Sequence, residues 1–168
     1  MAHTHRLHTR GGLFAVLALP FFLVACGSDA TGPTLDSISA SDIALYCIRG
    51  EGVAPTSLSG SIGTSDCNDG FNDGYYESWM VTVGSSGVVT FAVTSGFDSY
   101  LELLQIGNLS DIANTTSFLE EDDDNGIGAN SLDARLSYSL QPNTNYAIIV
   151  SGYDDSEQGP YTLAITGP

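Results

Sequence analysis

Between Gly96 and Ile165 apolar and polar residues alternate in short runs, and acidic, glycine-rich turns cut one run from the next. The runs read GFDSYLELLQIG, LEEDDDNGIGANSLDARLSYSLQ and NYAIIVSGYDDSEQGPYTLAI. A period of two places one face of each run in a core, and turns this closely spaced leave no room for a long helix. Such a stretch folds as an all-β domain with carboxylate-loaded loops.

The pattern begins earlier in the chain. IALYCI (43–48) alternates weakly and predicts a first edge strand, and TSLSGSIG (56–63) puts Leu58 and Ile62 on one face. In YYESWMVTVG (75–84), Tyr75, Glu77, Trp79, Val81 and Val83 share a face; in GVVTFAVTS (87–95), Val89, Phe91 and Val93 do. The link Gly84-Ser85-Ser86-Gly87 predicts that these two form a hairpin. SYLELLQI (99–106) has apolar residues on both faces, Leu101 and Leu103 on one and Leu104 and Ile106 on the other, as expected of a strand covered on both sides for part of its length. TTSFLEE (115–121), ARLSYSLQ (134–141), YAIIVSG (146–152) and PYTLAIT (160–166) complete eight or nine strands. The expected fold is an antiparallel β-sandwich; a closed barrel is the alternative for the same pattern.

The amino-terminal end reads differently. Arg6 and Arg10 precede LFAVLALPFFLVA, an apolar core of 13 residues ending at Cys26. That is a secretory signal, too short for the roughly 20 apolar residues that span a bilayer. Leu23-Val24-Ala25-Cys26 resembles the bacterial lipobox, whose cysteine becomes the lipid-modified first residue; cleavage of an ordinary signal peptide nearby is the alternative. The expected organisation is a lipoprotein signal peptide over 1–25, a flexible polar tether over 26–41 beginning at acylated Cys26, and one domain over 42–168. The polypeptide is expected in the cell envelope, held to the membrane through its lipid.

Processing would remove all three histidines and two of the four arginines, leaving Arg49 and Arg135, no lysine and 20 acidic residues, a formal charge of −18. Such a surface repels nucleic acid and anionic head groups and suits hard cations. Without histidine or lysine, Ser-His-Asp, Cys-His and Ser-Lys nucleophile systems are absent, and zinc would lack its usual imidazoles. Glu77 and Glu102 are the nominal pair for glycoside cleavage, but both fall on strands with no evident cleft. No enzyme is expected. Cys47 and Cys67, in an oxidising compartment, either form a disulfide or are two buried thiols.

FDSYLELL, a DD-containing loop, ARLSYSL, NYAIIVSGY and GPYTLAI, in this order and preceded by ESWMVTV, resemble the bacterial pre-peptidase C-terminal domain over roughly 57–166. The resemblance implies a jelly-roll-like sandwich, non-catalytic and usually appended to exported enzymes. It also implies kinship with the collagen-binding domains of clostridial collagenases, some of which hold calcium. Here a lipid anchor is expected where the enzyme would stand.

Glu120-Glu121-Asp122-Asp123-Asp124-Asn125-Gly126 packs five carboxylates into seven residues, whose repulsion solvent, backbone donors or a cation must relieve. It is not an EF-hand: with Glu121 as the first ligand, the twelfth position is Leu132. The resemblance implies that Asp123 and Asp124 cap the turn. Asp98, and Asp154 with Asp155, come from neighbouring loops. Asp98, Asp122, Asp123, Asp124 and Asp154 are therefore candidate calcium ligands, with turns held by carboxylate-to-amide bonds as the other reading. Asn68-Asp69-Gly70 and Asn72-Asp73-Gly74 are two tight turns or a calcium loop, and their spacing favours turns. Trp79, Tyr138, Tyr146 and Tyr161 are in phase with the core; Tyr76, Tyr100 and Tyr153 are out of phase and are candidate ring platforms for a glycan. Arg135 is expected to pair with a loop carboxylate. The sequence thus points to a binding, adhesion or structural surface module. A calcium-stabilised carbohydrate- or matrix-protein binder and an accessory subunit of an envelope enzyme are the alternatives.

Overall fold

The computed structural model describes residues 46–68, 74–109, 112–126 and 132–168. The expected signal peptide, Cys26, the tether, Ile43 to Leu45 and most of the two Asn-Asp-Gly turns lie outside the described residues. Ten strands are present: β1 (Ile48–Ala54), β2 (Thr56–Ile62), β3 (Cys67–Asn68), β4 (Tyr75–Val83), β5 (Gly87–Ser95), β6 (Ser99–Ile106), β7 (Thr116–Asp122), β8 (Arg135–Leu140), β9 (Asn145–Gly152) and β10 (Gly159–Thr166). One helical turn, α1 (Ile112–Thr115), joins β6 to β7.

The strands form two sheets, one of six strands in the order β1-β4-β9-β6-β7 with β3 beside β4, and one of four in the order β2-β10-β5-β8. From β4 onward the chain passes repeatedly from one sheet to the other, giving a jelly-roll-like sandwich. The core-facing residues follow the period of two: Val89, Phe91 and Val93 on β5, Leu101 and Leu103 on β6, Ile148 and Val150 on β9, and Leu163 and Ile165 on β10 are all buried.

The all-β sandwich is as expected, and four details differ. Among the described residues there are ten strands, not eight or nine, because β1 and the two-residue β3 carry no readable alternation. The pairing is antiparallel except that β1 runs parallel to β4. The first edge strand is β1 itself, starting at Ile48 where the expected strand ended. Finally, β4 and β5 do not form a hairpin: β4 pairs with β1, β3 and β9, and β5 with β10 and β8. The 84–87 link arches over the core, so Val81 and Val83 face Val89 and Phe91 from the opposite sheet. Alternation reports which side of a strand is buried, not whether its neighbour lies beside it or across the core.

Cys47 and Cys67 form a disulfide with a sequence separation of 20, tying the start of β1 to β3. Closing a loop of this size contributes about 3 kcal/mol. Urea unfolding of the reduced protein, or of Cys67→Ser, is expected to show a loss of about that size.

Candidate functional site

Three places hold chemistry. The first bridges the sheets. On the core side of β4, the Glu77 side chain is only 3 % exposed and accepts from the Tyr161 hydroxyl at 2.8 Å; Tyr161 in turn accepts from Trp79 Nε1 at 2.7 Å. Arg49 Nε lies 2.7 Å from the second Glu77 oxygen, and the same guanidinium pairs with Asp66. Asp66 also accepts from Gly63 N at 2.8 Å, next to the disulfide. Burial and the Glu77 hydrogen bond push the Tyr161 phenol well above its ordinary range. Every partner here is internal, so the arrangement locks β1, β4 and β10 together rather than presenting a reactive group.

The second place is the loop end where β6 and β10 begin and β7 and β9 finish. Asp98 Oδ1 is shielded from solvent and accepts nothing among the described residues. Burial, then Asp124, Glu157, Asp123 and Asp154 in decreasing order, raise the Asp98 pKa. Its backbone N–H donates to Glu157 Oε2 at 2.9 Å. Asp122 and Asp154 are held in their own turns. Asp122 Oδ1 accepts from Asp123 N at 3.1 Å and Asn125 Nδ2 at 2.8 Å, and Asp154 Oδ1 from Ser156 N at 2.8 Å and Ser156 Oγ at 2.5 Å. The Ser156 bonds lower the Asp154 pKa. Asp155 is exposed and lies outside this set. The structure thus brings Asp98, Asp123, Asp124 and Asp154 into one neighbourhood with Glu157. Yet among the described residues no three acidic, Cys or His side chains are gathered closely enough to hold a metal ion.

The raised pKa fixes a sign. The folded protein holds the Asp98 proton more tightly than the unfolded chain, so ionised Asp98 costs stability at neutral pH, and that cost disappears below the ordinary aspartate value of about 3.9. Asp98→Asn is expected to stabilise at pH 7, by less than about 1 kcal/mol because the residue as a whole is only half-buried and nearby solvent screens its charge, with the gain gone at about pH 3. Thermal midpoints of both proteins across that range check it. Asp154, with a lowered value, works in the opposite sense and loses its favourable contribution on acidification.

The third place is the outer face of the six-stranded sheet. Its counterpart on the four-stranded sheet carries Ser57, Ser59, Ser61, Thr90, Thr94, Ser137 and Thr162, as a solvated face should. The six-stranded sheet instead shows Ile48, Met80, Ile106 and Ala147, all buried outside the sandwich core beneath Tyr46, Leu104 and Leu109. Beside them runs a groove whose two adjoining hollows, about 190 and 50 Å³, share Tyr46, Tyr76, Leu104 and Ile149. Glu102 lies at its side. Tyr76 and Tyr100 both stand opposite Ser151 of β9, so they occupy one row two strand spacings apart, about 10 Å. Burial and a hydrogen bond to Glu121 push the Tyr100 phenol up. Tyr153, 55 % exposed, sits at the loop end, away from that row.

No protein family matches the chain by sequence, and no curated protein does. Among solved structures, it is similar to the pre-peptidase C-terminal domain of a collagenase from Bacillus anthracis, at 17 % identity and a TM-score of 0.47, over 69 % of this chain and 92 % of that one. It is also similar to a periplasmic inhibitor of g-type lysozyme from Aeromonas hydrophila, at 15 % identity and 0.43, over 69 % and 96 %. A third is CorA, a surface-associated copper-binding protein of Methylomicrobium album BG8, at 10 % and 0.48, over 71 % and 98 %. At these values the likenesses decide neither family nor activity; the sandwich rests on its own strands.

Glu77 and Glu102 lie on opposite faces of one sheet, buried in the core and lining the outer groove respectively, so they cannot flank a single glycosidic bond. Arg135 faces Glu120, Glu121, Asp122 and Asn125 across an open polar cleft of about 340 Å³, without an ion pair among the described residues. Two working carboxylates escaped the sequence reading. Asp133, 5 % exposed, accepts from Ser95 N at 3.0 Å and fastens the acidic loop to the end of β5; Glu157 braces Asp98. Asp133 stands apart from the acidic runs and Glu157 trails Asp154 and Asp155; only their place beside strand ends could have marked them.

Proposed function

We propose that the chain is an exported, envelope-held, non-catalytic sandwich that binds a partner on the outer face of its six-stranded sheet. The observation that supports this is the contrast between the two outer faces, one mostly Ser and Thr with Val88 an isolated exposed exception, the other an apolar and aromatic groove around Tyr46, Tyr76, Leu104 and Ile149. Attachment through a lipid on Cys26 and the tether after it belong to the same proposal, on the strength of the LVAC segment. Without histidine or lysine beyond the expected cleavage site, the polypeptide is suited to holding rather than transforming.

A pair of equal charge insertions tests the assignment of the face. Ile149→Glu is expected to abolish adsorption to films of gelatin or insoluble polysaccharide, and Thr162→Glu, on the opposite outer face, to leave it unchanged. Loss from Thr162→Glu, or from both equally, contradicts the assignment. A glycan ligand is the second reading, favoured by the Tyr76–Tyr100 row. Polysaccharide binding that survives removal of the rings at Tyr76, Tyr100 and Tyr153 together ends that version.

Calcium at the loop end is part of the proposal. Asp98, Asp123 and Asp124 would hold it after drawing closer together than they stand among the described residues, with Asp122 and Asp154 engaged in their turns and Glu157 with Asp98 N; the support is Asp98 Oδ1, a shielded acceptor without a donor. Calcium at ten times its dissociation constant would stabilise by about 1.4 kcal/mol. The thermal midpoint is expected to rise with millimolar calcium in the wild type and not in Asp98→Asn; no rise at saturating metal removes the ion.

A further inference from the structure

The outer groove has a charge as well as a shape. Its floor is Leu104 and Ile149, its aromatic walls are Tyr46 and Tyr76, and Glu102 stands at its side with Glu121 opposite on β7. Neither arginine of the domain lines it, and the chain has no lysine. Arg49 is engaged with Asp66 and Glu77. The strip follows β6 from Glu102 to Ile106, about 14 Å, the length of roughly four extended residues. At a formal −18 after the expected processing, a second copy, an anionic lipid surface and a nucleic acid are all repelled.

We infer that the groove takes an extended segment of a protein partner that carries aliphatic and basic residues on the same face, at every second position, its aliphatic side chains over Leu104 and Ile149 and its Lys or Arg against Glu102. The inference rests on the reading of this face as the binding surface. Half-buried Glu102 gives a charge-assisted bond at the edge of an apolar strip, where water competes less than on an open surface. The acidic field of the whole domain accelerates the encounter.

Dye-labelled peptides with Leu-Ser-Lys-Ser, Leu-Ser-Ser-Ser and Leu-Ser-Glu-Ser repeats (Leu/Lys, Leu/Ser and Leu/Glu below), which put both residue types on one face of an extended chain, serve as probes, titrated by fluorescence anisotropy at about 0.15 M salt to screen diffuse attraction. The Leu/Lys peptide is expected to bind best. Glu102→Gln, which keeps shape and fold, is expected to weaken it about tenfold. Leu104→Ser, with its folding checked by thermal melt, weakens it without a change of charge. Asp155→Asn, which removes the same charge from an exposed loop away from the groove, leaves it unchanged. Equal weakening by Glu102→Gln and Asp155→Asn means diffuse attraction and overturns the inference. Leu/Ser bound as well as Leu/Lys, both weakened by Leu104→Ser, keeps the binding face and discards the basic partner. No binding by any peptide also overturns it. So does self-association abolished by Leu104→Ser, which assigns the groove to a second copy. Binding that appears only in Ile43→Ser with Leu45→Ser assigns it to the chain's own preceding segment, with the same result.

Discussion

Gly60→Ala is expected to lower stability by about 3 kcal/mol or more, enough to unfold a domain of ordinary marginal stability at modest denaturant. Gly60 is on β2, directly opposite Tyr161 in the ladder, and a Cβ there would fall 2.2 Å from Glu77 Oε2 and 2.4 Å from the Tyr161 hydroxyl. Both atoms are fixed. Glu77 is held by Arg49 and Tyr161, and Tyr161 by Trp79, so neither can move aside without breaking a buried hydrogen bond. Glycine is required here for the space under the network, and overpacking and loss of hydrogen bonds add in the same direction. Urea unfolding checks it, with Gly84→Ala, whose Cβ would meet nothing within 4 Å, as the neutral comparison.

Glu77→Ala is expected to cost about 3 kcal/mol, and Glu77→Gln roughly half as much. The alanine removes the acceptor for Tyr161, opens a void between the sheets and takes one partner from Arg49. That arginine is 47 % exposed and keeps Asp66, so its residual charge is solvated and the loss stays at the low end for a broken buried pair. Glutamine preserves the shape and an acceptor oxygen for Tyr161. A ranking of wild type, Gln, Ala in urea midpoints supports a network whose value lies in its hydrogen bonds. If alanine is as stable as wild type, the network does not join the sheets as described.

What could be read beforehand was the burial of individual residues. The period of two identified Val89, Phe91, Val93, Leu101, Leu103 and the aromatic rings of Trp79, Tyr146 and Tyr161 as core, because a strand's inside and outside are written in adjacent letters. The partner of each strand is not written there. Four residues, Gly84 to Gly87, fit a hairpin and an arch equally well, and the choice depends on which apolar faces must meet across the core. The outer groove was half legible. Leu104 and Ile106, out of phase on β6, predicted a strand covered on both sides, and the same signal stands in Met80, Ala147 and Ile149 on β4 and β9. Dense acidic runs drew attention to Asp122 and Asp154, which spend their oxygens on their own turns, while isolated Asp133 and Glu157, at the trailing edge of the second run, make the cross-loop bonds. Carboxylate density marks where repulsion must be relieved, not which oxygen relieves it.

The claim that the apolar outer face is a working surface rather than covert packing is tested most directly by one paired measurement: thermal stability and uptake of the neutral apolar dye Nile red, in wild type, Ile149→Gln and Met80→Gln. Ile149 is half-buried at the groove, and Met80 is 1 % exposed beneath it. The account predicts that Ile149→Gln loses the dye while its stability falls by no more than about 1 kcal/mol, whereas Met80→Gln is destabilised by about 2 kcal/mol or more. Undiminished dye uptake by Ile149→Gln, or loss of its cooperative folding, would contradict it.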